Sequence, residues 1–115
     1  MVDAINPYDK AHDLTHAITA SEVYRKYVAA KTEVEKNPEH KEKILAIRNQ
    51  QMEVNRAQML GEEANSDTIF ELSQQFAKAN QIKEIADFFN AESNFIQMFS
   101  DIQEIIQKGI GSGFE

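Results

Sequence analysis

Apolar residues recur at intervals of three and four along almost the whole chain, the spacing of one face of an α-helix. Ala11, Leu14 and Ile18 form a narrow first face, and Val23, Tyr27, Ala30 and Val34 form a second. A third helix is predicted from Pro38 to about Leu60 and a fourth around Ile69, Leu72 and Phe76. The last, from about Ile82 to Gln107, is the longest and most apolar. Its broad stripe comprises Ile85, Phe88, Phe89, Phe95, Ile96, Phe99, Ile102 and Ile106. The expectation is an all-α fold, an elongated multi-helix bundle of about five helices with two long ones.

The breaks between these faces carry their own chemistry. Asn6-Pro7-Tyr8-Asp9 reads as a helix start, with Asn6 as N-cap, Pro7 in the first position and Asp9 at the positive end of the dipole. Thr19 with Glu22 three residues later forms a capping box, so the chain either breaks or bends there. Asn37-Pro38 ends the second helix and opens the third, because proline disfavours helical geometry in the residue before it. Gly61 suits the left-handed position after a helix, Glu62–Asn65 reads as a loop, and Asn65 or Ser66 caps the fourth helix. Ala79-Asn80-Gln81 is a weaker break. The glycines at 109, 111 and 113 end regular structure, which predicts one domain over 1–115, ordered over about 5–108, with a flexible tail at 109–115.

A final helix of about 26 residues is roughly 39 Å long at 1.5 Å per residue, more than the roughly 30 Å of a compact domain of this size. A helix apolar over that length outruns what the other four can cover, and a symmetric dimer is the least demanding remedy. Phe88, Phe89, Phe95, Phe99 and Ile102 on the last helix, with Met52 and Met59 on the third, are the expected interface residues. On the third helix Ile47 and Val54 lie on one flank and Leu45, Met52 and Met59 on the other, with Arg48, Gln51, Asn55 and Gln58 between. Such a helix either touches two neighbours at once or presents a wide core face with a wet middle.

Composition narrows the function classes. At 115 residues the chain suits one domain, and four Gly with two Pro supply few of the tight turns an all-β protein needs. There is no Cys, which removes disulfides, thiolate metal sites and a Cys nucleophile. The net charge is −7, and all of it falls in residues 49–115, where 4 basic face 11 acidic residues. That part of the chain repels phosphate, so autonomous nucleic-acid binding is not expected. The start of the chain lacks a basic and an apolar signal region, and no apolar run approaches the roughly 20 residues of a membrane span. A cytoplasmic protein is expected, without membrane partners.

Candidate chemistry is sparse. His12 and His16 lie four apart on one side of the first helix, the spacing of a two-ligand metal site, with Asp9 and Asp13 close by. No HExxH pattern accompanies them, His40 has no evident reason to approach, and solvated surface histidines are the simpler reading. The acidic pairs Glu33 with Glu35, Glu62 with Glu63 and Asp101 with Glu104 fall in loops or on polar faces, whereas acid–base catalysis needs a sheltered carboxyl. No GxSxG, P-loop, dinucleotide fingerprint or EF-hand loop occurs. A non-enzymatic protein without cofactors, working by binding itself and other proteins, is the expectation. A small metal-binding protein built on His12 and His16 is the alternative these residues leave.

Several fragments also carry a family resemblance: Tyr8-Asp9-Lys10-Ala11 with Leu14, Ser21-Glu22-Val23-Tyr24, Asn37-Pro38, Arg48 and Gln51. Gln58-Met59-Leu60-Gly61-Glu62-Glu63, Ala91-Glu92 and the Ile102–Ile106 run complete the set. In this order and spacing, over about residues 5–108, the chain resembles the YlbF/YmcA helical family of bacteria and looks most like its YheA branch. The resemblance implies an all-α cytoplasmic protein that tends to dimerise and has no catalytic residues. It implies kinship with regulatory partners in competence, sporulation and biofilm formation, and so an alternative role as an accessory subunit of an RNase Y-type RNA-processing complex. The clusters carried by that complex are held by cysteines, which this chain lacks.

Overall fold

The computed structural model describes residues 6–63 and 65–111. They form five α-helices: α1 (Pro7–Ala20), α2 (Glu22–Glu35), α3 (Pro38–Met59), α4 (Ser66–Asn80) and α5 (Lys83–Ile110). Helix is the only regular structure among these residues, so the all-α expectation holds. Residue 5, Ala64 in the predicted loop, residues 112–115 of the predicted tail, and the first residues read for a targeting signal lie outside the described residues. The chain divides into two compact units, one of residues 1–29 with 91–115, the other of residues 30–90.

In the second unit, α3 and α4 pack on each other, and the core consists of Val34, Ile44, Ile47, Ala79, Ile85 and Phe88. Asn37 opens α3 by accepting hydrogen bonds from the backbone N–H groups of Glu39 (3.0 Å) and His40 (3.4 Å). Phe89 stacks on Phe76 with ring centroids 5.1 Å apart. The Arg48 guanidinium lies 5.5 Å from the centre of the Phe88 ring, a cation–π contact. That contact removes Arg48 from the polar seam expected on α3, while Gln51, Asn55 and Gln58 are exposed. Only one of the two apolar edges of α3 is covered: Ile44 and Ile47 are buried, and Leu45, Met52 and Met59 face solvent.

In the first unit, Asn6 caps α1 by accepting from the Tyr8 N–H at 2.8 Å. The chain breaks between α1 and α2, and the cap is Ser21, not Thr19. The Ser21 Oγ accepts from the Tyr24 N–H at 3.2 Å and donates to the Ile18 carbonyl at 2.6 Å. Thr19 stays inside α1, its hydroxyl donating back to the His16 carbonyl at 3.2 Å. Tyr27 lies nearly parallel to Phe95 at 5.1 Å, and Tyr24 meets the same ring edge-on at 5.5 Å. This aromatic group joins α2 to α5. No described residue of this unit is fully buried.

The final helix has 28 residues, about 42 Å at 1.5 Å per residue, slightly longer than expected. It continues through Gly109 and Ile110, positions expected in the tail, because Gly109 keeps helical geometry. Gly111 ends it with φ +81, a left-handed conformation that glycine adopts without a Cβ penalty.

Candidate functional site

The residues that sequence suggested for metal binding do not converge. His12 and His16 are exposed on α1, and no group of three His, Cys, Asp or Glu side chains able to hold an ion occurs among the described residues. His40 takes a structural role that the sequence did not reveal. Its Nδ1 lies 3.1 Å from Glu84 Oε2, tying the start of α3 to the start of α5 within the second unit. The signal for this pairing is not local, since 44 residues separate the two side chains.

The acidic pairs are likewise dispersed. Glu33 at the end of α2 pairs with Lys36 just beyond it, and Glu104 with Lys108 on α5, with both side chains of each pair largely exposed. Asp101 accepts from the Gln97 amide at 2.8 Å. A cleft of about 320 Å³ between α3 and α4 is lined by Lys43, Ile47, Gln75, Lys78 and two alanines. Its lining holds neither a carboxylate nor an imidazole, so it offers no acid–base pair.

The apolar helix faces are more informative. Of the expected interface residues, Met52 (67% exposed), Met59 (87%) and Phe99 (45%) stand in solvent. Phe89, Phe95 and Ile102 are half-buried. Phe88 requires a correction: it is 4% exposed. It packs beneath Arg48 and against Phe89, so it belongs to the core of the second unit and not to a surface open to another chain.

In the first unit, the far half of α5 leaves Ile96, Phe99, Ile105, Ile106 and Ile110 exposed, with Tyr8 on α1 also in solvent. Phe95, Phe99, Ile102 and Ile106 follow one another at intervals of four, three and four, the register of a helix-to-helix seam. In the second unit, Met52, Met59 and Leu60 in the later part of α3 and just past it, and Ile69 and Phe70 early in α4, are also exposed. Sequence reasoning identified the two methionines there and missed Leu60 and Phe70. Phe70 falls off the Ile69–Leu72–Phe76 face, and that offset was the available signal. Among the described residues no helix is long and apolar enough to cross a membrane.

Comparison with known proteins places this fold among relatives. The family described as "Control of competence regulator ComK, YlbF/YmcA" matches residues 8–111. A UPF0342 protein of Caldicellulosiruptor saccharolyticus is 25% identical over 105 residues, covering 91% of this chain and 88% of the relative. One of Staphylococcus saprophyticus is 31% identical over 105 residues, covering 91% and 92%. The solved structure of a protein of unknown function (DUF964) from Bacillus stearothermophilus has the same fold, with a TM-score of 0.80, 23% identity and 90% of each chain covered. With nearly its whole length matched, from α1 to the end of α5, the chain belongs to the YlbF/YmcA family.

Proposed function

We propose that this protein is a non-enzymatic regulatory module, nearest the YheA branch of its family, which acts in the cytoplasm by binding proteins and first of all a second copy of itself. One observation carries the reading. Among the described residues all six buried side chains belong to the second unit and none to the first. A unit held by one aromatic group and half-covered side chains gains little from its own packing, since full burial of an aliphatic or aromatic side chain is worth about 1.5–3 kcal/mol. The uncovered residues Ile96, Phe99, Ile106 and Ile110 share one side of α5 and are those that a partner helix would bury.

A symmetric copy satisfies this demand with one self-complementary surface. The four α5 side chains count twice in a dimer. At about 1 kcal/mol each for the exposed part, they offer about 8 kcal/mol, within the roughly 4–15 kcal/mol that association costs. The seam is therefore suited to a reversible dimer, completed by contacts from α1 and α2. The regulatory part of the reading is supported by the family's description as a control of a competence regulator. The dispersal of the histidines and carboxylates supports a binding rather than a catalytic role.

Amide hydrogen exchange tests the self-association directly. Exchange over residues 95–110 should slow as protein concentration rises, while exchange around Ile44, Ile47 and Ile85 stays constant. Concentration-independent exchange along α5 would refute the proposal.

A further inference from the structure

The cleft between α3 and α4 lies wholly within the second unit. Each helix lines it with residues at positions i, i+3 and i+4: Lys43, Ala46 and Ile47 from α3, and Gln75, Lys78 and Ala79 from α4. That spacing keeps three side chains on one side of a helix. Ile47 (2% exposed) and Ala79 (3%) are the buried apolar members, and the small side chains at 46 and 79 leave room that longer ones would take. The volume of about 320 Å³ falls at the lower end of the roughly 300–1,000 Å³ of small-molecule sites.

The polar groups of the lining share one character. Lys43 and Lys78 are exposed, and neither is in an ion pair among the described residues. By contrast Lys10, Lys26, Lys36, Lys83 and Lys108 each pair with an acidic residue three or four positions away. Gln75 is half-buried, and its carbonyl oxygen is shut off from solvent with no donor. Its amide NH₂ is therefore the end left for a ligand. Two ammonium groups and an amide NH₂ all donate, so the lining meets an acceptor and favours one with negative charge. In a chain of net charge −7, a cleft with two cations and no carboxylate in its lining is a local reversal of sign. The apolar members ask for hydrocarbon on the same molecule, which a bare inorganic anion does not supply.

We propose that the α3–α4 cleft is a binding site for a small carboxylate with an apolar body. Lys43, Lys78 and the Gln75 amide hold the carboxylate, and Ala46, Ile47 and Ala79 meet the hydrocarbon. The inference goes beyond the reading of the chain as a protein-binding module. None of the α5 residues assigned to self-association lines the cleft, so either reading can fail alone.

The test titrates the full 15N-labelled chain with three probes: hexanoate, acetate and hexylammonium. Hexanoate should shift the amide resonances of 43–47 and 75–79 in a saturable way. Acetate keeps the charge without the apolar body, hexylammonium keeps the body with the opposite charge, and both should bind at least about tenfold more weakly. Lys43→Gln/Lys78→Gln should weaken hexanoate binding by a similar factor, as should added salt. Ala46→Leu should remove binding by filling the cleft. All three positions are exposed, so the variants should keep the resonances of the remaining residues. Hexylammonium or acetate binding as tightly as hexanoate would overturn the proposal. So would shifts confined to other residues, or unchanged affinity in both variants.

Discussion

Ile85 has no solvent exposure and Met59 is 87% exposed, so the two mark the extremes of what a side chain contributes here. Ile85→Ala should lower the free energy of unfolding by about 2–5 kcal/mol in urea denaturation, through lost burial and the cavity left behind. Met59→Ala should change it by no more than about 0.5 kcal/mol. Gly61→Ala should cost about 1 kcal/mol through backbone conformation alone, because a Cβ there meets nothing within 4 Å. A loss of several kcal/mol at Gly61 would point to a hidden steric contact and contradict the open turn. The caps at Asn6 and Asn37 were legible because each follows from the residue itself and its immediate neighbours, and of the two candidates Asn65 and Ser66 the structure uses Asn65. Ser21 was not legible. Both Thr19 and Ser21 offer a hydroxyl two or three residues ahead of a helical N–H, and only the path of the chain decides which is used.

At the scale of elements, periodicity located all five helices but did not say which side of α3 would be covered. Ile44 and Leu45 are adjacent, about 100° apart on the helix, yet one is buried and the other half exposed. The position of α4 makes that choice, and it is not written in α3. Phe88 and Phe89 show the same limit on α5, where one ring is buried and its neighbour is half-covered by Phe76. Two substitutions on α5 should now separate. Phe95 stacks on Tyr27, so Phe95→Asp places a carboxylate in the aromatic group and should lower the thermal midpoint of the isolated chain. Phe99 is 45% exposed, so Phe99→Asp should leave helix content by circular dichroism intact and weaken self-association about tenfold or more. Equal loss of helix content in both would mean that Phe99 also supports the fold of the single chain.

For the whole molecule, the uneven charge was readable from sequence, and the uneven burial was not. The long apolar final helix pointed to assembly, and the structure locates the uncovered part of that helix in the unit that has no buried residue among those described. Self-association through apolar faces of a chain with net charge −7 should hold or strengthen as salt screens repulsion between copies, which light scattering at low and high salt checks. The central claim, that the first unit is completed by a second copy, is tested most directly by sedimentation equilibrium of the unaltered protein over a wide concentration range. The account predicts a mass rising to twice the 13.1 kDa of the chain. A mass that stays at that of one chain at the highest concentration would contradict it.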